Sequence, residues 1–501
     1  MGKAAGMQIS GIDFAIIAAY IVMMLGVGYY VMRQAPNFEE YLVAGRSMTT
    51  PILVCTLAST YYGLDVLFGT SEIAFNDGVV AFFGYSELSL GIYLVAAFAL
   101  SKKLRKANFT SLPEILDRFY GKGAATFGAL ASIFYSIPAL SLFALGRITE
   151  VIFGIDARIG ALLLGSVALL YTLLGGLWAV AITDTIQFVL MCLTLAIALP
   201  LLMGEVGGFD AVAAFAPDTF FAPLGGIPIF LMLAYAATGI SILVDPGFYQ
   251  RIFAARDFRQ ARNAMLIAIG IWIVYDWLVT AGGMMAAAAV HAGDLPADLH
   301  PNDALLTAVV YALPAGLVGI FLAGVLATAM STIDSYTLVA GANISYDLYR
   351  PLAKPNASDQ ELVLYTRIGI VISFVLGYAL AFMFDRLMAL WVFTATFLTS
   401  TVLVPIFMGL YWKGKRTPLA GVLSCAFGLG SVIAYYIGIG RLGVENELWG
   451  TYIWTFSIGG FQISLWQEYG LFFSLPTSLL GFAVGNALSR DGQTPAAEAP
   501  Q

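Results

Sequence analysis

Apolar runs close to the length of a bilayer-spanning helix recur from one end of this 501-residue chain to the other, and they limit its fold more than any other feature. Lipid offers no water to an open backbone, so a run of about 20 apolar residues is expected to cross the membrane as an α-helix. By that criterion we count about thirteen spans. They lie near 10–33, 50–76, 79–101, 123–152, 158–177, 180–203, 227–247, 262–291, 316–346, 362–385, 388–412, 418–438 and 468–488. Composition agrees: 60% of residues are hydrophobic and 11% charged, where a soluble protein carries about 25% charged. The expectation is an all-α polytopic membrane protein with no soluble catalytic domain. The apolar stretch 444–466, interrupted by glycines, is the place where one further helix could be added.

Several function classes drop out at once. Cys55, Cys192 and Cys425 all lie in apolar runs, which argues against disulfides and thiolate metal sites. His291 and His300 lie in or beside a loop and cannot form a cluster. With no nucleophile–base pair and no metal-ligand cluster, the chain is not expected to be an enzyme. No feature calls for nucleic acid or for an obligate protein partner. The first run, Phe14 to Met32, is long enough to span and is followed by Arg33, so it is expected to persist as a helix and not to be cleaved.

Charge sets the expected orientation. Lys102, Lys103, Arg105 and Lys106 fall on one side, with Arg251, Arg256, Arg259 and Arg262, and with Arg350, Lys354, Lys413, Lys415 and Arg416. The opposite loops carry Asp156, Glu205, Asp210, Asp218, Asp294, Asp298, Glu445 and Glu447. The positive-inside rule then puts the N-terminus outside and the C-terminus in the cytoplasm, in a multi-pass plasma-membrane (bacterial inner-membrane) protein.

Two spans are poor continuous helices. Residues 56–78 mix Ser59, Thr60, Tyr61, Tyr62, Gly63, Asp65 and Glu72 into an apolar run, and 225–246 contains Pro228, Thr238, Gly239, Ser241 and Asp245. Interrupted spans at corresponding places in two halves point to a binding site where helices unwind. Their spacing implies two inverted five-helix repeats, at 50–203 and 204–412. An extra helix and loop (1–49) would precede them, with two helices (413–488) and a disordered tail (489–501) after.

Within 317–342, Thr328, Ser331, Thr332 and Ser335 form one stripe at helical spacing, bordered by Asp334. Hydroxyls and a carboxylate lined up without water can replace the hydration shell of a hard cation. The bland alternative is small-residue packing between helices. Asp184 is a second buried-carboxylate candidate, about one turn beyond the glycine turn at 175–176, sharing a face with Thr183 and Gln187; facing cytoplasmic water is its alternative. Arg147 pairs with Glu150 at i, i+3 or offers a bidentate contact to a substrate carboxylate. Asp65 and Glu87 suit an amine- or hydroxyl-bearing solute. Trp391, Tyr411 and Trp412 read as interfacial anchors.

The chain resembles the solute:sodium symporter family in Phe38–Arg46, Gly175–Val180 with Thr183–Asp184, Asp245–Arg251, Ala329–Thr332 and Gly409–Lys413. The resemblance implies a LeuT-like core of ten helices in two inverted repeats. It implies a sodium site at Ser59, Tyr62, Thr328, Ser331 and Thr332, and a second cation or proton site at Asp184, Ser331, Asp334 and Ser335. Asp334 stands where several members have a hydroxyl, so the site either binds sodium more tightly or takes a proton. The substrate would lie near Tyr61, Tyr62, Asp65, Glu87, Arg147 and Tyr235. The expected function is a sodium-coupled symporter using one or two Na+ ions to import a small polar organic solute (amino acid, monocarboxylate or sugar) by alternating access. A proton-coupled symporter using Asp334 and Asp184, or a non-transporting solute sensor, is the alternative.

Overall fold

The apolar runs fold as helices, and glycines, prolines and buried acids decide where each one stops. This computed structural model describes residues 9–31, 37–226, 229–383, 387–446 and 451–489. In chain order the main helices are α1 (Gly11–Val31), α2 (Thr50–Tyr61), α3 (Leu64–Asp77), α4 (Ala81–Ala107), α5 (Lys122–Tyr135), α6 (Ala139–Phe153) and α7 (Ala157–Val206). Then come α8 (Ile229–Thr238), α9 (Pro246–Ala254), α10 (Phe258–His291), α11 (Pro301–Ala312), α12 (Leu317–Ala342), α13 (Asp359–Ala381), α14 (Leu387–Tyr411), α15 (Pro418–Leu442) and α16 (Gly470–Leu488).

Among the described residues, 11 helices are long and apolar enough to cross a membrane, or 12 when α2 and α3, bent by 53° at their break, are taken as one span. At 50 residues, α7 is about 75 Å long, more than twice the ~30 Å hydrocarbon core. It is broken at Gly176, where φ 59° and ψ −151° suit only a residue without Cβ. A Cβ there would also lie 2.4 Å from the Tyr41 carbonyl oxygen. Counted as two arms, 157–175 and 177–206, α7 supplies one span more. Asp184 therefore lies about two turns into the second arm, deeper than the sequence suggested, and is fully buried.

The described residues of 444–466, which are 444–446 and 451–466, form strands and not a helix. Strands β1 (Val444–Asn446), β2 (Thr451–Ile458) and β3 (Phe461–Trp466) form an antiparallel sheet. Ile458 faces Phe461 across Gly459 and Gly460, both at positive φ, as a two-residue hairpin turn requires. Residues 490–501, where a disordered tail was expected, lie outside the described residues.

Both expected interruptions exist. α2 ends at Tyr61, and Tyr62 (φ −92°, ψ 66°) and Gly63 (φ −73°, ψ 179°) leave the helix before α3 begins. α8 tightens into a 3₁₀ turn at Gly239–Val244; then the Asp245 carboxylate accepts the Phe248 N–H at 2.7 Å and, with Pro246 in the first turn, starts α9. One backbone bridge ties these elements together: Met48 N–H donates to Ala254 at 3.0 Å and Arg256 N–H to Met48 at 2.9 Å.

α12 is the axis of the core, packed against α7, α13, α1 and α2. Its approach to α7 is set by Gly324, where a Cβ would meet Thr194 Oγ1 at 1.9 Å. On the other flank Gly341 crosses Gly369 of α13, whose Cβ would lie 2.8 Å from the Gly341 Cα. The extra helix α1 belongs to this core too. Asp13 Oδ1 accepts the N–H groups of Gly316 and Gly319, each at 2.7 Å, and so caps the start of α12.

Candidate functional site

α12 carries its hydroxyl stripe to the broken end of α2. Ser331 Oγ lies 2.9 Å from the Ser59 carbonyl and 3.1 Å from that of Thr328. Thr332 Oγ1 lies 3.1 Å from the Thr328 carbonyl and 3.3 Å from that of Thr60. Each hydroxyl has one proton to give, so each pair of bonds is a shared one. Four of the five expected sodium ligands, Ser59, Thr328, Ser331 and Thr332, thus meet in one buried place, joined by Thr60, which the sequence did not single out. Tyr62 behaves differently. Its N–H donates to the Ala58 carbonyl (3.1 Å) and its phenol to that of Trp272 (3.0 Å), and none of its described bonds reaches the stripe.

This donor set is neutral hydroxyl and carbonyl oxygen, with no thiolate or imidazole. Among the described residues no group of three His, Cys, Asp or Glu side chains gathers for a metal ion. Such oxygens suit a hard, weakly charged cation, and carbonyls freed by a helix break are where membrane transporters coordinate one.

One turn away, the expected second cation site holds a side chain that the sequence reading had assigned to a cytoplasmic loop. Arg251, on α9, is 1% exposed. Its Nη2 lies 2.5 Å from Ser335 Oγ, 2.9 Å from Thr60 Oγ1, 3.2 Å from Thr56 Oγ1 and 3.7 Å from Asp184 Oδ2. Thr56 Oγ1 in turn donates to Asp184 Oδ2 at 2.5 Å. The signal available in the sequence was Asp245-Pro246, a capped helix start that carries Arg251 into a helix and away from a loop.

Asp334 faces elsewhere. Its Oδ2 accepts the Tyr171 hydroxyl at 2.8 Å, while its buried Oδ1 has no hydrogen-bond partner. Gln187 Nε2 donates to the Tyr20 hydroxyl at 3.1 Å and points toward that of Tyr171 at 3.5 Å. Of the four residues expected at this second site, Asp184 and Ser335 are joined through Arg251, Ser331 belongs to the first cluster, and Asp334 belongs to the tyrosine cluster.

The break itself is lined with aromatic rings. Tyr61 packs on Trp272 (centroids 5.6 Å apart), Tyr93 (6.5 Å) and Phe248 (6.3 Å), and Tyr62 stacks on Trp272 at 5.8 Å. Two polar atoms here, the Tyr61 hydroxyl and Trp272 Nε1, are buried without a hydrogen-bond partner. Trp272 was not anticipated. The side chains of Asp65, Glu87 and Tyr235 lie outside the described residues. Arg147 is in an ion cluster with Glu150 (2.8 Å) and Asp303 of α11 (2.5 Å), its side chain 35% exposed.

The comparisons with known proteins agree with this architecture. A family model described as the sodium:solute symporter family matches residues 41–426. A sodium/proline symporter of Staphylococcus aureus is 26% identical over 495 residues, 94% of each chain. An osmoregulated proline transporter of Bacillus subtilis is 24% identical over 381 residues, covering 73% of this chain and 76% of its own. Among solved structures, a Na+-coupled sialic acid symporter in a substrate-bound outward-open state superposes with a TM-score of 0.77 at 17% identity, over 97% of this chain and 100% of its own. A nucleobase-cation-symport-1 family transporter in a closed conformation superposes at 0.51 with 12% identity, over 90% and 94% of the two chains.

Proposed function

The chain belongs to the sodium:solute symporter family, and from that premise we propose that its sodium ion is held where α12 meets the broken end of α2. The protein is a multi-pass membrane symporter with a LeuT-like fold that couples import of a small organic solute to sodium. The Ser331 hydroxyl, within reach of two backbone carbonyls from different helices, carries the assignment. The ligands are the carbonyls of Ser59 and Thr328 and the hydroxyls of Ser331 and Thr332, with the Thr60 and Tyr62 carbonyls as further donors. Sodium bound there would join α12 to an unwound backbone that has lost its own helical partners. It would thereby favour one side of the alternating-access cycle.

The solute is proposed to bind at the break beside Tyr61 and Tyr62, with Asp65, Glu87 and Tyr235 as further candidates. The Trp272 indole N–H, a buried donor without a partner, suits an acceptor group such as a carboxylate, while the Tyr61 hydroxyl beside it faces the buried Asp245 carboxylate. Trp272 thereby takes the place offered to Arg147, whose guanidinium already has two acidic partners. An amino acid or a monocarboxylate fits this box better than a sugar, and the relatives named for proline transport point the same way.

The test is thermal unfolding of the purified protein in sodium against potassium chloride, then with proline, monocarboxylates and sugars added in sodium. A ligand that binds the folded form raises the midpoint by mass action. Sodium should do so alone, and a carboxylate-bearing solute should add to it. Equal midpoints in the two salts would reject the sodium site. One observation favours a second reading: the unpartnered Oδ1 of Asp334 is a place for a proton. Under it, Asp334→Asn abolishes uptake while Ser331→Ala changes little.

A further inference from the structure

We propose that a cavity between the short helix Leu112–Tyr120, the start of α5 and the far end of α12 binds a small zwitterionic amino acid. It shares no residue with the sodium and solute positions proposed above and does not depend on them. The cavity has a volume of about 260 Å³ and lies on the side that the basic loops mark as cytoplasmic. Five charged side chains line it: Glu114, Asp117 and Asp347, with Lys122 and Arg350.

Asp347 is the residue that calls for a ligand. It lies in the π-helical stretch Asn343–Tyr349 that prolongs α12, and it is 9% exposed. Its Oδ1 accepts the Ser111 hydroxyl at 2.6 Å, while its Oδ2 has no hydrogen-bond partner. The charged groups that act on it are Glu114, Asp117 and Arg350. A buried carboxylate oxygen without a donor is costly, and a bound ammonium group would supply one.

The other charges decide what carries that ammonium group. The Arg350 guanidinium lies over the Tyr346 ring, 5.0 Å from its centroid, and Lys122 Nζ is 3.5 Å from the Pro351 carbonyl. Among the described residues, neither cation forms an ion pair with the acids of the cavity. Charges of both signs that line one space without neutralising each other suit a ligand that carries both. A metal ion is a poor occupant, since no three acidic, histidine or cysteine side chains gather among the described residues and the volume far exceeds one ion. A plain amine would answer Asp347 and leave the two cations facing it; a plain carboxylate would do the reverse. An α-amino acid answers both, with its ammonium group toward Asp347, Glu114 and Asp117 and its carboxylate toward Arg350 and Lys122. Ser111 also caps the short helix, accepting the Glu114 N–H at 3.2 Å, so Asp347 already ties that helix to α12. A bound amino acid would tighten this tie from the cytoplasmic side.

The experiment is local to the cavity. Thr126→Cys places a thiol in its wall, where the native hydroxyl donates to the Lys122 carbonyl of its own helix at 2.9 Å. The purified variant is labelled with a maleimide, and the labelling of the native cysteines, measured on wild type, is subtracted. L-Alanine is the probe, and its two halves, ethylammonium and propionate, are the controls. Alanine should slow labelling by the factor 1 + [L]/Kd, about tenfold at ten times Kd, and neither half should reach this. The protection should be the same in potassium and in sodium chloride. Asp347→Asn and Arg350→Gln, each made in the Thr126→Cys background, should abolish it. An unchanged rate with alanine, equal protection by ethylammonium alone, or protection that survives Asp347→Asn would overturn the proposal. Protection seen only in sodium would belong to the central site and would overturn it as well. If Asp347→Asn does not fold, Arg350→Gln and the comparison of alanine with its halves decide it.

Discussion

Removing the Ser331 hydroxyl is the most direct test of the sodium site, and its size can be worked from the geometry. With no ion present, Ser331 Oγ spends its proton on the Ser59 or Thr328 carbonyl, at 2.9 and 3.1 Å. Ser331→Ala costs that empty state about 0.5–1.5 kcal/mol, the net worth of a neutral hydrogen bond. With sodium bound, the same oxygen becomes one of a few ligands to a full charge, a contact comparable to a charged hydrogen bond at about 1.5–3 kcal/mol. Binding feels only the difference, roughly 1–2 kcal/mol, so sodium affinity should fall about 5- to 30-fold. Equilibrium 22Na+ binding reads this directly, and the sodium-dependent rise in unfolding temperature reads it independently. Thr337→Val is the control on the same helix. Its hydroxyl is bonded to the Ile333 carbonyl at 2.7 Å, inside α12, and should leave sodium affinity within twofold of wild type. A folded Ser331→Ala with wild-type affinity would refute the argument, as would an equal loss in Thr337→Val.

Asp13→Ala leaves the Gly316 and Gly319 N–H groups at the start of α12 without their shared acceptor, which should lower stability by roughly 1–3 kcal/mol in a thermal or denaturant melt. Gly176→Ala puts a side chain into a glycine-only conformation and against the Tyr41 carbonyl. The strain alone is about 1–3 kcal/mol, so folded yield and unfolding temperature should both drop. Burial pushes the Asp303 carboxyl above its ordinary 3.8 while Arg147 opposes that shift. Asp303 therefore binds its proton more tightly folded than unfolded, and its contribution to stability falls as pH rises from 3.8 through the raised value. Arg147→Gln should extend that falling window to higher pH in a series of melts, and an unchanged pH profile would contradict it.

The spans were legible because bilayer thickness writes itself into run length, and the two breaks because glycine, proline and polar residues cannot sit idle in lipid. The stripe on α12 was legible because hydroxyls at helical spacing share a face whatever lies opposite. What lay opposite was harder. Ser59 followed from the resemblance, but the Thr60 carbonyl and the Trp272 indole depend on how two distant segments meet. Arg251 was misplaced because a positive charge beyond an apolar run looks like a loop anchor, and only tertiary packing turned it inward onto Thr56, Thr60 and Ser335. The depth of Asp184 hinged on where a single residue, Gly176, breaks the helix. The sheet at 444–466 was hidden by apolarity, although a Gly459-Gly460 pair flanked by β-branched and aromatic residues is a hairpin signal.

The contacts around α12 are of two mechanical kinds. Toward α7 and α13 it lies so close, at Gly324 and at the Gly341–Gly369 crossing, that there is no slack for one helix to slide past the other. Toward α2 it is joined by hydroxyls that can trade one carbonyl for another with little change in energy. A transporter that must open alternately to two sides will part where the grip is exchangeable, not where backbones are locked. With sodium at the proposed site, the seam expected to slip is the one that carries the Ser331 and Thr332 oxygens, and the ion would act as a pin through the joint: seated, it would hold the two halves in register; withdrawn, it would let them turn.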